Sequence, residues 1–383
     1  MALSLYIHFP FCVRKCHYCD FNSLADSGIA APSYIAALLR EMEMVADDPE
    51  QFGPVATIFF GGGTPSLLPP ELVRQTIEGT ERCFGILPEA EITLEANPGT
   101  LSDASLSGYR SAGVNRLSLG VQSFDDRMLA RLGRIHSGRE AIESFAAARA
   151  SGFDNIGIDL IHSLPGQTAP LWEEQLTIAV DLGPEHISAY GLSVEEGTPF
   201  ASLEESGQLD LPEEDEAAAM FETTGRILTS AGYEHYEISN FARPGRRSRH
   251  NQVYWLRGDY LGLGSGAHSF IRNPAPGLRW KNCDSPVRYI ELLQQSILPR
   301  EQAQRLNTGE AMSEAMFLGL RLLNGIDPAA FSSEFAIDIK RAFAPELDRL
   351  LQSGLLEETG TLLRLSRRGL ILSNQVFSSL LRQ

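Results

Sequence analysis

The sequence predicts an α/β fold built around a parallel sheet: a partial (β/α)6 barrel with a C-terminal winged-helix-like domain. Three observations carry this reading. Short apolar runs rich in β-branched residues recur at 5–9, 55–60, 91–96, 114–120, 155–161 and 186–192. Helix-periodic stretches separate them, at 33–45, 70–83, 104–112, 139–150 and 171–182, and Gly113, Gly152 and Gly183 stand where such helices stop. No dinucleotide fingerprint is present, and six similar β–α units in series favour a barrel over a doubly wound sheet. In either fold, function collects at the carboxyl ends of the strands.

The later elements follow in order. Residues 213–227 have the pattern of a helix with an acidic face, and 233–241 alternate as a strand does. A Pro/Gly/Arg segment at 243–249 marks a loop. From 307 the pattern turns helical, at 310–323 and 337–351, and ends in a short strand at 361–365, as in a small winged-helix unit. The expected division is 1–232 for the barrel, 233–300 for a pocket segment and 301–383 for the C-terminal unit.

Of the 383 residues, 49 are acidic and 32 basic, giving a formal charge of -17 that repels phosphate backbones and anionic membrane surfaces. The basic Arg364, Arg367 and Arg368 of the tail run against this balance, and a nucleic-acid partner is not expected. No apolar run approaches the roughly 20 residues of a bilayer span, so no integral membrane segment is expected either. Residues 1–11 carry no secretory pattern, and a cytoplasmic location is the expectation.

Three of the five cysteines, Cys12, Cys16 and Cys19, fall within eight residues on the loop after the first strand. This is a poor layout for a disulfide framework. Such a loop can wrap one 4Fe-4S cluster, and three thiolates leave one iron open. The alternative is a zinc site of three cysteines completed by His8 or His17. Cys83 and Cys283 read as inert thiols, and Met42 and Met44 as helix core.

Polar groups recur at the other strand ends. Gly61-Gly62-Gly63-Thr64-Pro65 follows the second strand, where bare backbone can approach a ligand closely. Glu95 ends the third strand and Gln122 the fourth, Arg134 follows in Leu132-Gly133-Arg134, and Asp159 lies in the fifth. His136 and His162 read as polar loop or strand-end residues, and His268 as a residue near the same pocket.

These motifs resemble the radical S-adenosylmethionine (SAM) superfamily, in which the open iron chelates the amino and carboxylate groups of SAM and cleaves it reductively to a deoxyadenosyl radical. His8-Phe9-Pro10, Glu95-Ala96-Asn97-Pro98 and Gly120 to Phe124 extend the likeness, over essentially the whole chain, to the oxygen-independent coproporphyrinogen III oxidase family. The resemblance implies that Tyr6, Gly62 and Glu95 contact the SAM on the cluster. It also implies that Tyr18, Gly63, Thr64, Gln122, Arg134 and Asp159 match positions contacting a second SAM.

Two departures separate the chain from the oxidases themselves. Phe21 stands where they carry a further cysteine, and the first strand begins near residue 3, where they carry an extension. The segment His250-Asn251-Gln252-Val253-Tyr254-Trp255 fits a His-Asn-x-x-Tyr-Trp signature linked to heme binding in a heme-chaperone branch of the family. That branch implies heme or a related tetrapyrrole as ligand through His250, a recipient hemoprotein as partner, and a homodimer among its forms. The alternative is enzymatic, a coproporphyrinogen III dehydrogenase-type oxidoreductase acting on propionates. Arg243, Arg246, Arg247, Arg249 and Arg257 cluster around this segment, and guanidinium groups pair well with propionates.

Overall fold

The computed structural model describes residues 2–25, 28–47 and 52–382. Six strands, β1 (Leu3–Phe9), β2 (Val55–Gly62), β3 (Ile86–Ala96), β4 (Arg116–Gln122), β5 (Ile156–His162) and β6 (His186–Gly191), pair in parallel in chain order. Helices Ala31–Ala46, Pro70–Phe84, Asp103–Ala112, Gly138–Ala150 and Ala169–Leu182 connect them. Near-continuous burial along β1 and β2 is what a parallel sheet covered on both faces demands.

The sheet extends beyond the six units. Strands β7 (Glu234–Glu237) and β8 (Asn240–Ala242) add antiparallel to the β6 edge. At the other edge β9 (Tyr260–Leu263) joins β1 in parallel, followed by antiparallel β10 (His268–Ile271), β11 (Leu278–Asn282) and β12 (Arg300–Arg305). The order β12-β11-β10-β9-β1-β2-β3-β4-β5-β6-β8-β7 has two ends, so the barrel is open. All six residues of the edge strand β12 are exposed.

Two expectations need adjusting. The strand expected at 233–241 is a tight hairpin, β7 and β8. The helix expected at 337–351 is two, Ile339–Ala342 and Ala344–Gln352, because Phe343 leaves helical geometry and Pro345 starts a new first turn.

After β12, helices Thr308–Gly319 and Pro328–Phe335 and the pair just named pack with a hairpin of Leu356–Thr359 and Leu362–Leu365. Met316, Leu320, Phe343, Leu363 and Val376 belong to their own apolar cluster, apart from the sheet core. The two bodies meet at β7, where the Ile238 N–H donates to the Arg321 carbonyl and the Leu323 N–H to the Tyr236 carbonyl. Buried Glu237 pairs with Arg321 at 3.6 Å, and the Arg321 guanidinium lies 4.3 Å over the Trp255 ring. Among the described residues, no helix is long and apolar enough to cross a membrane.

Candidate functional site at the carboxyl ends of the strands

The parallel strands end on a cavity of about 580 Å3. Of the residues singled out above, Cys12, Cys16, Cys19, Tyr6, Tyr18, Gly62, Gly63, Thr64, Glu95, Gln122, Arg134, Asp159 and His250 line it.

The cysteine loop leaves β1 at Phe9 and is pinned by a short parallel pairing of Phe11–Cys12 with Leu24–Ala25. Its three thiols are part-exposed at the cavity rim. The Thr64 hydroxyl donates to Cys12 Sγ at 3.4 Å, and an Arg134 N–H donates to Cys16 Sγ at 3.5 Å. His8 is occupied by Tyr6 (3.1 Å) and the Asn22 carbonyl (2.8 Å), and His17 by the Arg131 carbonyl (2.7 Å). Among the described residues, no three His, Cys, Asp or Glu side chains are grouped to hold a single metal ion. Three part-exposed thiols on one loop are a donor set that could hold a 4Fe-4S cluster with one iron left open.

The glycines after β2 are required by space. Gly62 has φ 107°, and a Cβ there would meet the His8 ring at 2.6 Å; a Cβ on Gly63 would meet the Phe11 carbonyl oxygen at 2.7 Å. The Gly63 and Thr64 N–H groups donate to the carbonyls of Phe9 and Phe11, holding this bare backbone against the cysteine loop. Gln122 also has positive φ, 66°, where the β4–β5 register slips; such backbone strain in a non-glycine residue clusters at functional sites.

Burial governs the charges. It pushes the Glu95 carboxyl up to about 8, helped by the Asp159 charge and opposed by the Gly62 N–H and by Arg116. Burial also raises Asp159, against hydrogen bonds from Ser188 and Ser118, the latter at 2.9 Å. Arg134 donates to the Gly120 carbonyl at 2.6 Å and so stands fixed between β4 and the cysteine loop.

His250 lies on the cavity floor in the helix Arg249–Trp255. The Ser248 side chain caps this helix, and the Glu91 carboxylate accepts from the Arg249 and His250 N–H groups. The imidazole is 1% exposed and stacks on Phe59 with ring centres 5.0 Å apart. Both nitrogens have partners: Nδ1 is 2.8 Å from the Thr57 hydroxyl, and Nε2 is 2.8 Å from the Tyr254 hydroxyl. Burial, with the Arg116 charge adding to it, holds the ring down to about 3, so it is neutral.

The arginine run does not serve this cavity. Arg243 lies over the Tyr233 ring, Arg246 and Arg247 pair with Asp154 and Glu234, Arg249 donates to the Glu89 carbonyl, and buried Arg257 pairs with Glu334 and Glu314. His268 is exposed and stands opposite Lys281 on β11. His136 is buried between Asn97 and the Val121 carbonyl. The sequence reading passed over Arg116 and Ser118 on β4 and His186, Ser188 and Tyr190 on β6, all lining the cavity. Their signal is alternation: every second residue of a barrel strand points inward.

Comparison with known proteins agrees with this architecture. Residues 6–175 match the radical SAM superfamily, and residues 306–372 match the HemN C-terminal domain. The chain is 37% identical over 380 residues to the heme chaperone HemW of Bacillus subtilis, covering 99% of both chains. It is 40% identical to HemW of Synechocystis, covering 87% of this chain and 81% of that one, and 42% identical to HemW of Escherichia coli over 71% of each. Among solved structures, the coproporphyrinogen III oxidase HemN of Escherichia coli, a radical SAM enzyme, superposes with a TM-score of 0.84. That match has 23% identity and covers 99% of this chain and 90% of that one.

Proposed function

The chain belongs to the HemW family of heme chaperones, and from that membership we propose that it binds heme in the cavity described above and passes it to a recipient hemoprotein. The observation that carries this reading is the cavity's chemistry, with three thiols at its rim and a neutral, buried imidazole on its floor. A neutral imidazole is a standard ligand for heme iron.

Cys12, Cys16 and Cys19 hold the 4Fe-4S cluster in this reading; when bound, such a cluster supplies an open iron that chelates SAM. The chain's own residues prepare that corner. Thr64 and Arg134 donate to the sulfurs of Cys12 and Cys16, and Gly62 and Gly63 keep side chains out of it. Tyr6 and Glu95, which line the cavity, would contact that SAM, and Tyr18, Gln122, Arg134 and Asp159 would offer it or a second SAM polar contacts.

His250 would hold the heme iron through Nε2, which the Tyr254 hydroxyl engages at 2.8 Å, and the Thr57 hydroxyl 2.8 Å from Nδ1 would orient the ring. The reading places the protein in the cytoplasm.

The test is a Soret titration of anaerobically reconstituted protein with heme, followed by addition of an apo-hemoprotein. The expected outcome is saturable binding that H250A weakens about tenfold, the lower end for a lost ligand or its support, and then growth of the recipient's spectrum. Unchanged affinity in H250A would remove His250 as the ligand, and binding without transfer would remove the chaperone role.

A further inference from the structure

One charge on the cavity floor goes unmatched. Arg116 opens β4 opposite Thr93 and lines the cavity together with Ser118, Gly120 and Gln122 of the same strand. It is 1% exposed, its Nε has no hydrogen-bond partner, and among the described residues no carboxylate pairs with its guanidinium. Buried Arg257 makes the contrast, since Glu334 at 2.5 Å and Glu314 at 3.6 Å neutralise it.

The groups around Arg116 make no ion pair with it, although the Asp159 carboxylate lies within reach of its field. Glu95 and Asp159 feel its field, yet neither lies within ion-pair distance, and burial keeps Glu95 protonated at neutral pH. His186 and His250 also feel its charge, and burial holds both rings neutral. A buried guanidinium with no carboxylate hydrogen-bonded to it is costly, and its planar fork of donors fits a carboxylate bidentately.

We propose that Arg116 anchors a carboxylate of the bound ligand, and that this carboxylate is a propionate of the tetrapyrrole whose iron His250 takes. The proposal rests on the heme reading above. SAM also carries a carboxylate, and the experiment separates the two sources.

Heme and heme dimethyl ester, which differ only in their carboxylates, are titrated by Soret absorbance into the anaerobically reconstituted protein and its R116K and R116Q variants. SAM binding is followed in parallel by equilibrium dialysis. The parent is expected to bind heme at least about tenfold more tightly than the ester, the size of one charged hydrogen-bonded contact. R116Q should close that gap by weakening heme alone, R116K should keep part of it, and SAM affinity should hold in all three.

Equal affinity of the parent for heme and ester, or equal weakening of both by R116Q, overturns the anchor and leaves heme binding intact. Weakened SAM with unchanged heme assigns the carboxylate to SAM and overturns the propionate. A parent that binds neither porphyrin overturns the heme reading and the anchor with it. The comparison within the parent needs no substitution, so it decides the matter even where R116Q fails to fold.

Discussion

The Nε2 of His250 sits 2.8 Å from the hydroxyl of Tyr254, one helical turn further along, so the nitrogen best placed to meet an incoming iron is already engaged. In the proposed function, heme would displace that hydroxyl. Y254F is therefore expected to bind heme more tightly, by roughly two- to tenfold, the net worth of one neutral hydrogen bond. T57V removes the partner that orients the ring and should weaken binding about tenfold. Soret titration of the two variants against the parent checks both signs.

Loss of any one of the three loop thiols is expected to abolish the cluster and spare the fold, because Cys12, Cys16 and Cys19 stand at the cavity rim and outside the apolar core. Iron and sulfide content should fall to background in C12A, C16A and C19A while circular dichroism stays unchanged. T64V keeps the cluster but loses a hydrogen bond to Cys12 Sγ, and its reduction potential should move to more negative values in a redox titration.

Glu95 gives the protein a pH signature. Its carboxyl is raised in the fold to about 8 from an ordinary 4.5, so the folded state holds the proton more tightly than the unfolded chain. Its contribution is full below the ordinary value and is lost as pH rises through the folded one. E95Q, which cannot ionise, should match the parent near pH 4.5 and exceed it in stability near pH 8. Denaturant unfolding at the two pH values reads the difference.

G62A is expected to destabilise the chain by about 2 kcal/mol, the cost of a side chain at strained backbone, since φ is 107° and the new methyl would press on the His8 ring. An urea midpoint measurement gives the value. The same ring donates from Nε2 to the Asn22 carbonyl and meets the Tyr6 hydroxyl through Nδ1, so a local shift there should also reach the cysteine loop.

The six-unit cadence was legible because period-two apolar runs and helix-stopping glycines are local signals. Strand β9 was not. Its four residues, Tyr260–Leu263, include Gly262 and adjoin Gly264, and they become a parallel strand only by pairing with β1 far away in sequence. That Glu95, Gln122 and Asp159 line one cavity was legible, since the fold fixes where carboxyl ends meet, whereas Tyr6 and Tyr18 came only from the family resemblance. The arginines near His250 misled for the opposite reason: nearness in sequence does not say which way a side chain points, and Arg246 and Arg247 turn to Asp154 and Glu234 instead. Arg116 was hidden inside an apolar strand, where one charged residue reads as noise unless the inward face is tracked.

The exposed margin of the sheet bears on how copies of this chain can meet. If two molecules joined two-fold along Arg300–Arg305, an antiparallel match in full register would set Arg300 of each against Arg305 of the other. Like charges directly opposite repel across a ladder. The outermost strand thus works against this full-register pairing with its own twin.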